Sequence, residues 1–455
     1  MIFLLLLLIL FSTYILISAD LLVNSTLIIG WVNLGIFVLS LVLFQIKYRK
    51  KTLFNPELLF SIIFIFCTFF YLPLMYNSKI DSFIFGELVK ESNINLIRSQ
   101  SIAVLSFLFY LLGAVIIHRE KIKKTDKITI LETNILIKKR KVFHIITFLL
   151  ILLSMLTGGY KIIYRYSESS IGLDEIGALF SYITIFIVIS SVLEYLYLRK
   201  ENINTLKNTV KFISRLYLFN LLFMSTLFLA SGYRSAVFPL LIPVVFLYDL
   251  YINKINKVVL VFLLFSAFIL MLVINDTRGG NTVSENLLSL ENIGEDFISA
   301  NKGLYYLIDY TDRHGNQQGQ NAILQMVSFI PYGQSFVINI FGFTPSESSS
   351  QFFTNGLESY WSGLGTHVVG DLYYSFGLFG TLFWMFLLGI FTSYLYNRIT
   401  MGGVPNVLVI TVYLLILGNS VMFPRVEFFS LVQKIGFSLI IILFFLRLFR
   451  LKTIY

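Results

Sequence analysis

VVLVFLLFSAFILMLVINDTRGG, residues 258–280, decides the fold. The run is apolar and uncharged until Asn275, then turns abruptly into Asn275-Asp276-Thr277-Arg278-Gly279-Gly280. About 20 consecutive apolar residues match the ~30 Å hydrocarbon core of a bilayer, whereas a surface helix of a soluble domain keeps a polar face. Beyond Gly280 the chain stays polar to about residue 368, and then the apolar pattern resumes. The interval 276–368 is thus the long polar stretch of an otherwise lipid-compatible sequence.

Composition points the same way. The 455 residues are 57% hydrophobic and only 13% charged, with a mean hydropathy of +0.81. Soluble domains carry roughly 25% charged residues. The apolar runs are solid and do not alternate, which excludes a β-barrel. The expected class is an all-α integral membrane protein. The net charge of +10 lies mostly in short loops on alternate sides of the spans, a topology signal and not a nucleic-acid surface. Cys67 stands alone in an apolar run, so no disulfide framework or cysteine metal site can form. Residues 1–18 lack a basic leader and a small-residue cleavage site, and are expected to be a retained first span.

About twelve spans are expected, near 2–19, 25–46, 57–76, 100–117, 142–157, 176–197, 213–230, 236–252, 257–275, 369–396, 404–421 and 428–446. This divides the chain into spans one to nine (1–275), the polar loop (276–368) and spans ten to twelve (369–455). Basic residues crowd the loops at 47–51, 119–141, 199–211 and 447–452. The positive-inside rule then places both termini in the cytoplasm and the 276–368 loop outside. Residues 322–343 are apolar enough for another span, but they contain Pro331, Gly333, Gln325 and Gln334, and the following 344–366 has no Lys or Arg. An interfacial or re-entrant helix is expected there. Residues 285–312 carry an amphipathic helical pattern through Leu287, Leu290, Ile293, Phe297, Leu304, Leu307 and Ile308, so the loop is expected to be a partly helical cap. Neither a fixed-period repeat nor a Gly-x-x-x-x-Gly-Lys-Ser/Thr phosphate loop is present.

The charges on the outer side are the informative ones. Arg234 lies in the tight turn Ala230–Ala236, Arg278 opens the long loop beside Gly279-Gly280, and Arg425 follows Pro424 between the last two spans. Arg313 and His314 end the amphipathic segment, and Arg165 lies in the 158–175 loop. A guanidinium fork fits phosphate oxygens bidentately and stays charged; its bland alternative is an anchor to lipid headgroups or a nearby carboxylate. His367 starts span ten, with Asp371 at i+4 and Tyr374 at i+7. A carboxylate one turn away would orient the imidazole for a general base, and the alternative is a capping or interfacial histidine. Tyr360-Trp361, with Tyr374, offer a sugar-stacking platform or a membrane-interface anchor. The four histidines are scattered and no acid pair stands at ligand spacing, so no metal is expected.

These pieces, in this order, resemble the bacterial O-antigen and polysaccharide repeat-unit polymerases (Wzy), and secondarily the O-antigen ligases (WaaL). Ser231–Ala236 is similar to that family's small-small-x-Arg-Gly/Ser turn. Thr277-Arg278-Gly279 resembles the arginine that opens its long loop, and Gly365–Gly380 (GTHVVGDLYYSFGLFG) resembles the pattern that closes it. Asn55–Phe60, opening span three, is also similar. The paired Arg-x10-Gly motif of some members is missing, since Arg165 is followed by Gly177, and Val368 stands where the ligases have Asn after the histidine.

The resemblance implies a membrane glycosyltransferase of the GT-C type that joins undecaprenyl-pyrophosphate-linked oligosaccharide units at the periplasmic face of the inner membrane. It would need no nucleotide, metal or other cofactor. Its partners would be those lipid-linked glycans, membrane lipids and a chain-length regulator, with no nucleic acid. Under it, Arg234 and Arg278 take the pyrophosphate, with Arg313 and Arg425 as further contacts, and His367 with Asp371 activates or positions the acceptor hydroxyl. A ligase or a lipid-linked oligosaccharide flippase is the alternative. A flippase would need charged residues lining a cavity within the spans.

Overall fold

The computed structural model describes the chain apart from residues 49–54, 71, 73–92, 118–133, 161–172, 232–235, most of 257–289, 329, 331, 344–348, 350–365, 402–405 and 452–455. All regular structure among the described residues is helical. The elements are α1 (Ile2–Ile17), a 3-10 turn (Ala19–Ser25), α2 (Thr26–Lys47), α3 (Pro56–Phe69), α4 (Asn93–Ile117), α5 (Arg140–Leu156) and α6 (Leu173–Lys200). Then come α7 (Leu206–Phe212), α8 (Arg215–Ala230), α9 (Phe238–Tyr251), α10 (Leu290–His314), α11 (Gln320–Val327) and α12 (Gly333–Phe341). The chain closes with α13 (Val368–Met401), α14 (Val407–Asn419), a 3-10 turn (Phe423–Arg425) and α15 (Phe428–Leu451).

Among the described residues, five helices are long and apolar enough to cross a membrane: α2, 95–117 of α4, 179–200 of α6, 368–400 of α13 and 428–445 of α15. The pair α7 and α8, bent by 101°, adds a sixth if taken as one span. Helices α1, α3, α9 and α14 are apolar but shorter. The span expected at 257–275 lies almost wholly outside the described residues. The 322–343 segment is no single helix. It folds as α11 and α12, broken at Tyr332, whose φ is +61°. At 1.5 Å per residue each is far shorter than a ~30 Å core.

Local sequence explains the helix ends. Asn55 caps α3, its side chain accepting the Leu58 N–H at 2.9 Å, with Pro56 in the first turn. Asn406 caps α14 in the same way through Leu408 N–H. Most buried Ser and Thr hydroxyls, such as Ser106, Thr147, Ser191 and Thr411, donate back to carbonyls one turn earlier. That satisfies them without water.

Helix α4 is central, touching α1, α2, α3, α10 and α13. Its contact with α13 is the most extensive among the described helices and depends on two glycines. A Cβ on Gly113 would strike the Phe386 carbonyl, and one on Gly389 would strike the Tyr110 carbonyl. Small residues that let backbones meet are the usual basis of helix association where lipid supplies no hydrophobic drive. Aromatic rings fill the space beside them, with Phe107 stacked on Phe37 at 4.0 Å between ring centres and Phe64 at 5.8 Å.

Helix α13 is broken at Gly377, where φ is +68° and ψ −168°. Only glycine occupies that region comfortably. The break frees carbonyls of the preceding turn, and the 315–319 loop takes them: Gln317 N–H donates to Tyr374 O and Gly319 N–H to Ser375 O. The short first part of α13 is thereby tied to α10 and α11. Gly377→Ala is expected to cost about 1–3 kcal/mol, read as a lowered melting temperature of the purified protein in detergent.

One end of the bundle gathers the start of α13, the C-terminal end of α3, the N-terminal ends of α4 and α15, and α10. At the opposite end a buried network ties α5, α6 and α8. Glu194 faces His144 Nε2 at 2.9 Å and Arg140 Nε at 3.3 Å, and accepts the Ser214 N–H at 2.8 Å.

Candidate functional site

The site is built around the first turn of α13. His367 precedes the helix as its N-cap: its carbonyl accepts the Asp371 N–H at 2.8 Å and its Nδ1 accepts the Val369 N–H at 3.2 Å. With Nδ1 occupied as an acceptor, the ring proton sits on Nε2, which donates to Thr68 Oγ1 at the end of α3, 3.2 Å away. The Phe64 ring meets the imidazole edge-on at 5.3 Å. His367 is fully buried, and burial pushes its protonation down to about 3. The imidazole is therefore neutral, with a fixed tautomer.

The end of α3 is held from its other side by α10. Asn301 Nδ2 donates to both the Cys67 and Thr68 carbonyls, at 3.1 and 2.8 Å. Its neighbour Lys302 is buried, and burial lowers its ammonium to about 8. Gly370 of α13 packs against Gly303, Leu304 and Leu307 of α10, so closely that even a methyl would meet them at 3.2–3.3 Å.

Asp371 does not orient His367, contrary to the i+4 expectation. Its Oδ1 accepts the Ser349 hydroxyl at 2.6 Å and its Oδ2 accepts the Phe428 N–H at 2.9 Å. The physical reason is that His367 is a cap with its side chain turned back onto its own first turn, so helical spacing does not govern it. The carboxylate instead joins the start of α15 and the loop residue Ser349 to α13. Tyr374 is buried, 6.2 Å from the Tyr310 ring, and offers no open face for sugar stacking.

Along α10 a second polar line faces α4 and α13. Asp312 receives the Tyr373 hydroxyl at 2.6 Å and pairs with Arg98 at 3.1 Å. Asp309 accepts from Asn95 and pairs with Arg313 at 3.0 Å. Arg313 is thus an exposed guanidinium neutralised one turn along its own helix. His314 stacks on Tyr310 at 4.3 Å in the same exposed turn. Arg425 is half-buried in the turn before α15. Arg165, Arg234, Arg278, Tyr360 and Trp361 lie outside the described residues.

Next to this cluster lies a cavity of about 140 Å³ between α6, α8, α9, α14 and α15. Phe180, Phe228, Pro239, Leu415, Phe423 and Leu431 wall it, and Ser181, Asn419, Ser430 and Lys434 supply its polar groups. Ala236, two residues after Arg234, is in the wall. Lys434 Nζ donates to Asn419 Oδ1 at 2.8 Å, while Asn419 Nδ2 donates to Leu415 O, which fixes the amide. Lys434, a charged residue within the apolar α15, thus turns inward to Asn419.

Of the expected residues, the structure brings His367 and Asp371 to one helix start with Arg425 in the neighbouring turn, and sets Arg313 and His314 on an exposed flank. Thr68, Asn301, Lys302, Ser349 and Asn419 were not foreseen. Lys434 alone carried a signal, a charge inside an apolar run. Among the described residues no group of three or more His, Cys, Asp or Glu could hold a metal ion.

The family model described as O-antigen polysaccharide polymerase Wzy matches residues 1–454. No curated protein and no solved structure matches the chain.

Proposed function

Because the chain belongs to the O-antigen polysaccharide polymerase Wzy family, a multi-pass membrane protein with glycan-polymerising activity, we propose that it joins undecaprenyl-pyrophosphate-linked repeat units at the periplasmic face of the inner membrane. The topology that goes with this has about twelve spans, both termini in the cytoplasm and a GT-C-like arrangement. The growing glycan leaves its lipid pyrophosphate and is transferred to a hydroxyl of the incoming lipid-linked unit. The C–O bond to the diphosphate breaks, a glycosidic C–O bond forms, and the hydroxyl proton is released as the lipid diphosphate departs. A guanidinium near the departing diphosphate stabilises its developing charge, the role given to Arg234 and Arg278.

One observation carries the reading beyond family membership: the buried polar cluster at the start of α13, where His367, Thr68, Asn301 and Asp371 join four helices at one end of the bundle. His367, neutral and donating from Nε2, is suited to position groups. Nδ1 is closed by the Val369 N–H, so general-base use would require that bond to open. Lys302, depressed toward neutrality by burial, is a second proton-transfer candidate at the same helix junction.

The decisive experiment supplies purified protein with lipid-linked repeat units, with and without chelator, and resolves products by length. Polymer that forms equally in both arms supports a metal-free polymerase. In cells lacking the chromosomal copy, Arg234→Ala and Arg278→Ala are each expected to reduce the surface ladder to single repeat units. A normal ladder from both removes them from the reaction, and lipid-linked polymer left unattached would point to a ligase instead.

A further inference from the structure

The cavity beside the α13 cluster holds a cation that the reaction scheme has not used. Lys434 lies nearly two turns into the apolar α15, where an ammonium is costly and rarely idle. Among the described residues its one hydrogen bond goes to a neutral amide, Asn419, and no carboxylate pairs with it. An ammonium has three N–H donors, so two find no partner among the described residues. The space in front of it, about 140 Å³, exceeds many-fold the ~10–15 Å³ that one water needs. It suits a compact anion with its shell but not an oligosaccharide. Around this charge the walls are mixed: Ser181, Thr184, Asn419 and Ser430 are polar, while Phe180, Phe228, Leu415 and Phe423 are apolar, surroundings that suit the polar end and the first carbons of an amphiphile.

We infer that this cavity binds the phosphate end of an anionic membrane lipid, with Lys434 Nζ as its charged contact and Asn419 holding that ammonium in place. The site is also well placed. Asp371 accepts the N–H of Phe428, the first residue of α15, and Lys434 follows roughly 9 Å further along that helix at 1.5 Å per residue. The helix that carries the cavity's ammonium is thus the same one whose first residue is held by Asp371. The polymerase reading is needed only to name the lipid; the anion site itself stands without it.

Two substitutions test it. Lys434→Met removes the charge at nearly constant volume, and Asn419→Asp gives the ammonium an internal carboxylate that competes with any ligand. Full-length protein in detergent is titrated by calorimetry with farnesyl diphosphate, phosphatidylglycerol and inorganic pyrophosphate. Both variants are expected to weaken farnesyl diphosphate at least tenfold, with melting temperatures equal to or above wild type. Phosphatidylglycerol bound as tightly, and lost in the same variants, would identify the phosphate as a headgroup's; binding of farnesyl diphosphate alone would identify it as a lipid diphosphate. Affinities within twofold of wild type in both variants overturn the site, and inorganic pyrophosphate binding as well as either lipid overturns its lipid character. Polymerisation is measured in parallel. If wild type makes no polymer while the affinities change as expected, the polymerase reading fails and the site survives. Should Lys434→Met both polymerise and bind normally, only the site is lost.

Discussion

His367→Ala is expected to lower polymer formation by about 100-fold, the scale of a misplaced reacting group, and to collapse the surface ladder toward single repeat units. The imidazole does two structural things in one place. It closes the first turn of α13 through Val369 N–H, and it reaches across to Thr68 at the end of α3. Alanine leaves the Thr68 hydroxyl and the Val369 N–H without that partner and opens a gap beside Phe64. The α3–α13 junction then loses its fixed spacing. His367→Gln separates the two roles open to the residue, because the glutamine amide can donate about where Nε2 does but cannot act as a base. Recovery to within tenfold of wild type would show that the donated hydrogen bond is what matters. A glutamine variant as inactive as alanine, with its melting temperature restored, would mean that the lone pair takes a proton during transfer. A full-length ladder from the alanine variant would exclude His367 from the reaction altogether.

Gly389→Leu is expected to abolish accumulation of folded protein, a loss of more than about 3 kcal/mol and so beyond ordinary overpacking. Even a methyl at Gly389 meets the Tyr110 carbonyl, and Gly113 meets the Phe386 carbonyl on the reciprocal side. The neighbouring atoms are backbone, which cannot rotate away as a side chain can. The two helices must separate, and α4 carries its contacts with α1, α2, α3 and α10 away with it. Gly389→Ala should already lower the monodisperse fraction on size exclusion in detergent. Gly35→Ala in α2 is the control, since nothing lies within 4 Å of its added Cβ. It is expected to be neutral or to gain a few tenths of a kcal/mol from helix propensity. Equal yields for Gly389→Leu and Gly35→Ala would show that the α4–α13 crossing is not the joint of the fold.

The chain by itself determined the solvent, the helical class and most helix starts. Hydropathy acts residue by residue, and caps such as Asn55 with Pro56 act within one turn, so neither needs a partner. The amphipathic stretch at 285–312 was legible for the same reason and is helix α10, 290–314. The glycines of the 365–380 pattern were visible too, but their uses were not. Gly370 admits α10, and Gly377 breaks the helix. Only the tertiary structure decided which side faces of the helices meet. His367 finds Thr68 from a helix 299 residues earlier, Asp371 holds Phe428 and Ser349 instead of the histidine one turn away, and Lys434 turns inward to Asn419. In lipid every lateral face of an apolar helix looks alike, so the pairing rests on small residues and a few polar side chains whose partners lie far off in sequence.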